Sequence, residues 1–440
     1  MTTPAQTTRS AELFERARKV LPGGVSRNAV LRDPNPLYVD YGEGCRIHDV
    51  DGVSRIDCAN NMASLIHGHA DPDMVKGVSD QLAKGTAFNM GTEIEIEYAE
   101  YLLSRNPGFD QLRFVNSGTE ALMLAIKAAR AYTNRPMIAK AEGAYHGAYD
   151  YVEVSQTPSP STWGDADRPT GVPLVSGTPE SAINDVLIFP YNNAEKAIEL
   201  LDQHASKLSC VVLDLMPHRV GLNPADPDFV RAIREWTTQN NVLLILDEVI
   251  TFRSTYEGLQ GQYGIHADLT ALGKMIGGGF PIGAVAGSAE IMDVLNPKSN
   301  RYLFPHSGTF SANPISIIAG MTAMKKFDRD AVNRLNGLAQ RAMDGINQAI
   351  QETGVAASVT GTGSMFRVHV KPHAPTNYRE AYLSPEEAVK LKTLLDHMFD
   401  EGFVLINTCS ATLSTPMTET EIDALIAGYK SGFEKLNAMD

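Results

Sequence analysis

Short apolar runs alternate with longer amphipathic stretches between about residues 73 and 250 of this chain. Apolar residues recurring every three or four positions predict helices over 73–84, 93–106, 119–133, 194–204 and 227–239. Compact apolar runs predict strands over 111–115, 137–140, 210–213 and 242–246. Such alternation predicts an α/β architecture, a mainly parallel sheet covered by helices on both faces. Ligands of such sheets bind at the carboxyl ends of the strands.

The two ends of the chain have a different texture. A first helix over about 8–21 precedes two alternating segments, 36–41 and 44–58, and DVDG at Asp49–Gly52 is a turn signal within the second. After about residue 325 the pattern predicts a helix over 331–352, strands near 356–360 and 366–370, a helix over 384–401, a strand over 403–406 and a last helix over 419–436. The expected division is an N-terminal segment, 1–72, contributing to a small domain, a large domain over 73–325, and a C-terminal small α/β domain over 326–440. The stretch 156–181 is rich in Pro, Ser, Thr and Gly and is expected to be a long surface loop, either a roof over a site or a tolerated insertion. No internal repeat is visible.

The 440 residues are 43% hydrophobic and 20% charged, with a formal charge of −14, the balance of a soluble globular protein. An acidic chain with no basic run is a poor partner for nucleic acid or an anionic membrane. Its apolar runs fall far short of the roughly 20 residues needed to cross a bilayer. The polar N-terminus lacks the apolar core of a signal peptide. Four scattered cysteines form no C-x-x-C pair, which argues against a disulfide framework or a zinc site and fits the cytoplasm.

Three passages carry candidate chemistry. In FVNSGTEA an apolar run ends at Val115, Ser117-Gly118-Thr119 turn the chain, and a helix opens at Glu120. A helix N-terminus with hydroxyls around a glycine can close on a phosphate, although Ser and Thr are also ordinary N-caps. In VLLILDEV an apolar strand runs into Asp247, and a carboxylate there needs a partner: a metal, a buried cation, or a capping role. No further ligands follow at metal spacing. In LGKMIGGGF, Lys274 lies among glycines that allow close approach of a ligand, and confinement can lower a lysine pKa until the amine is nucleophilic. The chain holds no G-x-x-x-x-G-K-[ST], H-E-x-x-H or G-x-S-x-G. A phosphate turn, a strand-end acid and a reactive lysine, in that order, are what pyridoxal 5′-phosphate requires.

On NSGTEA (Asn116–Ala121), AYHG (Ala144–Gly147), LDEV (Leu246–Val249), LTALGKMIGGGFPIGA (Leu269–Ala284) and HSGTFSANP (His306–Pro314), the chain resembles the class III aminotransferases of pyridoxal-phosphate fold type I. The likeness runs from about Leu21 to the last helix. It implies that Lys274 is the Schiff-base lysine and proton shuttle and that Asp247 pairs with the pyridinium nitrogen. It implies that Val249 and Tyr145 cover the two ring faces and that Ser117, Gly118 and Thr119 hold the phosphate. It further implies a homodimer in which Thr309 reaches the phosphate of the neighbouring subunit.

Within the family, LPGGVSR (Leu21–Arg27), DVDG, HGHADP (His67–Pro72) and GLNPADPDF (Gly221–Phe229) resemble both the glutamate-1-semialdehyde aminomutases and the β-amino-acid aminotransferases. The text around Arg27 and the 27 positions from Asp247 to Lys274 favour the second group. The implied reaction is ping-pong transfer of an amino group from an amino acid or amine, β-amino acids favoured, to a keto acid. The alternatives are an intramolecular 2,1-aminomutase and an ω-amine transaminase with no carboxylate requirement. Arg27 is the expected carboxylate anchor, with Arg253 as competitor and a surface arginine as the plain alternative. Two departures stand out. Asp214–Arg219 reads DLMPHR, with Pro217 where many members carry a polar residue, and Asn407–Pro416 contains no arginine.

Overall fold

The computed structural model describes residues 8–300 and 302–439. Its strands, in chain order, are β1 (Val39–Glu43), β2 (Arg46–Asp49), β3 (Ser54–Asp57), β4 (Gln111–Val115), β5 (Met137–Ala141), β6 (Val186–Phe189), β7 (Leu208–Leu213), β8 (Leu243–Asp247), β9 (Leu269–Gly273), β10 (Gly283–Gly287), β11 (Ser358–Thr362), β12 (Met365–His369), β13 (Phe403–Val404) and β14 (Ser410–Thr412).

Seven of them form one sheet in the order β4-β10-β9-β8-β7-β5-β6, in which only β10 runs against the rest. Burial of both faces explains why these strands read as continuous apolar runs. Along β8, Leu244 and Leu246 turn to one core with Phe229, Val230 and Ile233 of the helix Pro227–Gln239. Leu243 and Ile245 turn to another with Leu122, Ala125 and Ile126 of the helix Gly118–Thr133. Period-two alternation thus splits one apolar run between two helical layers.

A second sheet, β1-β2-β3-β13, joins the two ends of the chain, because β13 pairs in parallel with β3 through Phe403 and Ile56. The expected DVDG turn links β2 to β3, and Asp49 Oδ1 accepts the N–H groups of Asp51 and Val53 at 3.0 and 2.8 Å. The third sheet, β11-β12-β14, is antiparallel. The helices Arg329–Thr353 and Glu419–Asn437 pack against each other beside it.

Most expected elements are present within a few residues of their expected bounds. The first helix is shorter, Arg9–Ala17, because the chain leaves it before Pro22. The helix Pro314–Lys326 and the strands β6, β9, β10 and β14 have no counterpart in the expected set. That helix is apolar on most sides and shows little amphipathic contrast, so it gives no helical stripe.

Gly320 of that helix sets a contact that the site depends on. A Cβ there would lie 2.0 Å from the Ile276 carbonyl oxygen and 2.9 Å from the Tyr98 hydroxyl. The obstacle is mainly backbone two residues beyond Lys274, so the chain itself must move. Gly320→Ala should lower stability by about 1–3 kcal/mol, the usual cost of overpacking. Chemical denaturation measures the loss.

Candidate active site

Strands β7, β8 and β9 are adjacent and parallel, so their carboxyl ends lie side by side. Asp214 follows the first, Asp247 ends the second and Lys274 follows the third. Asp247 is buried. Its Oδ2 accepts from His146 Nδ1 at 2.8 Å and its Oδ1 accepts the Val249 N–H at 3.1 Å. Burial lowers the His146 pKa against the opposing pull of Asp247, so the imidazole is neutral and its buried Nε2 has no partner. Asp214 is also buried, accepting the Met216 N–H at 2.8 Å. Burial, reinforced by the neighbouring Asp247 charge, raises its pKa well above the carboxylate range. That shift favours the protonated form of Asp214.

The Lys274 amine donates to the Met62 carbonyl at 2.9 Å. Burial lowers its pKa, while Asp247 and Asp214 oppose the shift. Lys274 has a left-handed backbone, φ +50°.

Its acceptor belongs to an unusual segment. Asn60, Asn61, Met62 and Ala63 all have positive φ, between +45° and +68°. Left-handed helical backbone costs L-residues about 1–2 kcal/mol each, and four in a row persist only where surroundings hold them. Here the surroundings do. Asp57 Oδ1 accepts the N–H groups of Ala59 and Asn60 at 2.9 and 2.8 Å, and Asn60 Nδ2 donates to the Thr412 carbonyl at 2.6 Å. Arg253 donates to the Ala63 carbonyl at 3.4 Å.

The expected phosphate turn lies at the start of the helix Gly118–Thr133. Ser117 is its N-cap, accepting the Glu120 N–H at 3.1 Å. The first-turn N–H groups of Gly118 and Thr119 have no partner within the helix. Val249 is wedged beside it: a Cβ on Gly118 would meet Val249 at 2.9 Å, and one on Gly273 would meet it at 3.3 Å. Tyr145 is about half exposed, next in the chain to His146, with the Arg219 guanidinium 5.6 Å from its ring centre. The fold thus brings Lys274, Asp247, Val249, Ser117–Thr119 and Tyr145 to one edge of the sheet. Thr309 is exposed on a separate segment; beside it, a Cβ on Gly308 would lie 3.5 Å from Asn116 Nδ2.

The two arginine candidates part company. Arg27 is exposed and donates to Asn61 Oδ1 at 2.7 Å. With Met62, His69, Gly279 and Asn407 it lines a cavity of about 1250 Å³. Arg253 is fully buried, donating to Ser364 Oγ at 2.9 Å and to the carbonyls of Ala63 and Leu413. It is committed to the backbone, and burial pushes its pKa down to about 9. Sequence reasoning left Asn61, Met62, His146 and Asp214 without roles. Only AYHG, which places a histidine next to the expected ring-stacking tyrosine, offered a signal.

These residues fit pyridoxal 5′-phosphate: a buried amine of lowered pKa, a buried acid hydrogen-bonded to a histidine, a helix N-terminus for the phosphate and an aromatic face. Among the described residues no group of His, Cys, Asp and Glu has the arrangement of a metal site, and no helix is long and apolar enough to cross a membrane.

Comparison with known proteins agrees. The family model described as aminotransferase class-III matches residues 28–426. A glutamate-1-semialdehyde 2,1-aminomutase of Methanothermobacter thermautotrophicus is 37% identical over 85% of this chain and 86% of its own length. An omega-transaminase structure from Sphaerobacter thermophilus is 44% identical, with a TM-score of 0.95 and 98% of each chain covered. A beta-phenylalanine aminotransferase structure from Variovorax paradoxus is 30% identical, with a TM-score of 0.87 over 98% of this chain and 94% of that one.

Arg253→Ala should behave as a structural lesion. Removing a buried guanidinium strands the Ala63 and Leu413 carbonyls and should cost about 2–4 kcal/mol. Thermal unfolding checks the loss, and activity should fall alike for substrates with and without a carboxylate.

Proposed function

This chain belongs to the class-III aminotransferases, which work with pyridoxal 5′-phosphate, and from that membership we propose a transaminase that moves an amino group from an amino acid or amine, β-amino acids favoured, to a keto acid by a ping-pong mechanism. The observation that carries the reading is the Lys274 amine, held by the Met62 carbonyl, with its pKa lowered by burial and Asp247 near enough to oppose the shift.

The cofactor, when bound, supplies an aldehyde for the amine and an electron sink for the reacting carbon. Lys274 would hold it covalently and, as an amine of lowered pKa, could take and return the substrate proton. Asp247 would pair with the ring nitrogen, and His146 would orient that carboxyl group. Ser117, Gly118 and Thr119 would hold the phosphate at the positive end of their helix. Val249 and Tyr145 would flank the ring. Arg27, steadied by Asn61, holds the carboxylate of the amino donor.

The functional unit is a homodimer, in which Thr309 completes the neighbouring phosphate site. In support, the segment carrying Thr309 exposes Tyr302, Leu303 and Phe310. Residues 73–325 form the cofactor-binding domain, and 1–72 with 326–440 form the small one, as the pairing of β3 with β13 supports. Four buried free cysteines support a cytoplasmic setting.

A second reading, an intramolecular aminomutase, is favoured by the relatives named for that activity. Turnover of a single substrate without any added amino acceptor would select it. Half-reactions of the cofactor-loaded enzyme with α-, β- and ω-amino acids and plain amines test the transaminase. Loss of the lysine-bound cofactor absorbance with β-amino acids supports it, and its persistence with every donor sinks it.

Borohydride reduction of the loaded enzyme should mark Lys274, and peptide mass mapping reads the position. Lys274→Ala should keep its fold and lose both the mark and nearly all turnover. Arg27→Ala should weaken β-amino-acid donors by about 2–4 kcal/mol, the order of a lost charge pair in a confined site, and spare plain amines. Steady-state kinetics with matched donors separates the two.

A further inference from the structure

Ping-pong transfer places two substrates in one site by turns, each with its reacting carbon at Lys274. The carboxylate of a β-amino acid lies one carbon farther from that centre than the carboxylate of an α-keto acid. One guanidinium held in place, as Asn61 holds Arg27, meets one of these lengths well and the other poorly. The stretch 407–416 contains no arginine to serve the second.

The turn after β7 offers a cation instead. It begins at Asp214 and passes through Pro217 into the short helical turn His218–Val220. Pro217 is the N-cap, and its carbonyl accepts the N–H groups of Val220 and Leu222, both at 3.1 Å. The turn is therefore tight. It leaves Arg219 exposed, its guanidinium over Tyr145, the neighbour of the histidine that holds Asp247. Among the described residues Arg219 has no ion-pair partner.

A second guanidinium reaches the residue before it in the chain. Arg367 of β12 is buried, donates at 3.3 Å to the His218 carbonyl, and leaves its Nε without a partner. It too has no ion-pair partner among the described residues. Its strand partner is Ser410, inside the stretch that lacks arginine. Between the two arginines His218 meets Thr408 Oγ1 at 3.1 Å. Burial, then the charges of Arg367, Lys274 and Arg219, push the His218 imidazole down to about 3. It stays neutral and adds no competing charge. A buried guanidinium with no counter-ion is costly, and the cost is offset when an anion arrives.

We propose that Arg219 is the carboxylate anchor for the keto-acid acceptor, with Arg367 as a second, buried charge, while Arg27 serves the amino donor. The proposal rests on the transaminase reading above. The acceptor carboxylate takes both ends of the Arg219 fork, and Arg367 acts on it through the field without touching it.

The test uses the cofactor-loaded enzyme and its Arg219→Ala, Arg219→Lys and Arg367→Met variants. Pyruvate is added to enzyme already charged with an amine; 3-aminobutyrate and 1-phenylethylamine are added to the resting enzyme. Calorimetry with propionate, an unreactive carboxylate, reads binding without turnover. Arg219→Ala should raise half-saturation for pyruvate by about tenfold or more, weaken propionate, and leave 1-phenylethylamine unchanged. Arg219→Lys should fall between, and Arg367→Met should weaken pyruvate in the same selective way by a smaller factor. Unchanged pyruvate and propionate binding in the Arg219 variants overturns the proposal. So does an equal loss for all three substrates, which would leave Arg219 only a support for Tyr145. Arg27→Ala keeps the two readings apart: if it spares 3-aminobutyrate while Arg219→Ala loses pyruvate, the donor assignment fails and the acceptor assignment stands.

Discussion

Three ionisable groups crowd the carboxyl ends of three adjacent strands, and keeping them there is the constraint the rest of the structure serves. Two carboxylates and an amine, removed from most of their water, would be unfavourable as three independent charges. Burial raises the pKa of Asp214 and lowers that of Lys274, and Asp247 takes a hydrogen bond from His146, whose pKa burial also lowers. An amine of lowered pKa and a hydrogen-bonded carboxyl group thus lie at neighbouring strand ends. A cofactor with an electrophilic carbon and a basic ring nitrogen would find a partner for each there.

The amine also needs an acceptor, and the protein supplies it at a cost in backbone strain. The left-handed turn Asn60–Ala63 aims the Met62 carbonyl at Lys274 and the Asn61 side chain at Arg27. It is held from three parts of the chain: Asp57 at the end of β3, Thr412 in β14 and the buried Arg253. Asp57 is itself bound by His69 at 2.8 Å. These contacts come from residues up to 352 positions apart, so the turn forms only when both ends of the chain have assembled beside the large sheet. The site is thereby made conditional on the complete fold.

The sequence was legible where local chemistry is strong. Ser117-Gly118-Thr119 announce a helix start, the apolar run into Asp247 announces a strand end, and glycines announce the lysine turn. Each lies where its text places it. Strand alternation also disclosed most of the parallel sheet, because buried strands read as unbroken apolar runs. What stayed hidden depends on distance. Arg253 looked like a candidate for substrate because it lies six residues past Asp247. Its carbonyl partners Ala63 and Leu413 come from remote segments, and they turn it into a structural bolt. Nothing in ANNMA announces a left-handed turn, since only the Asp57 and Thr412 contacts make one tolerable. The raised pKa of Asp214 was equally invisible. It follows from burial and from the nearness of Asp247, not from the residue itself.

The residues proposed for the reaction and those proposed to meet the substrate are built differently. Asp247 and Lys274 sit at strand ends, where the sheet's hydrogen bonds and two helical layers fix the backbone. Arg27 and Arg219 sit on turns, exposed and held by few contacts. Changes on a turn alter reach and charge without disturbing the sheet, whereas changes at a strand end alter the electrostatics of the buried acids and amine. The DLMPHR departure falls in the first class from Pro217 onward and in the second only at Asp214, which is still an acid. If Arg27 and Arg219 hold the two substrates as proposed, the chemistry of the family can stay unchanged while the choice of carboxylates varies with the turns.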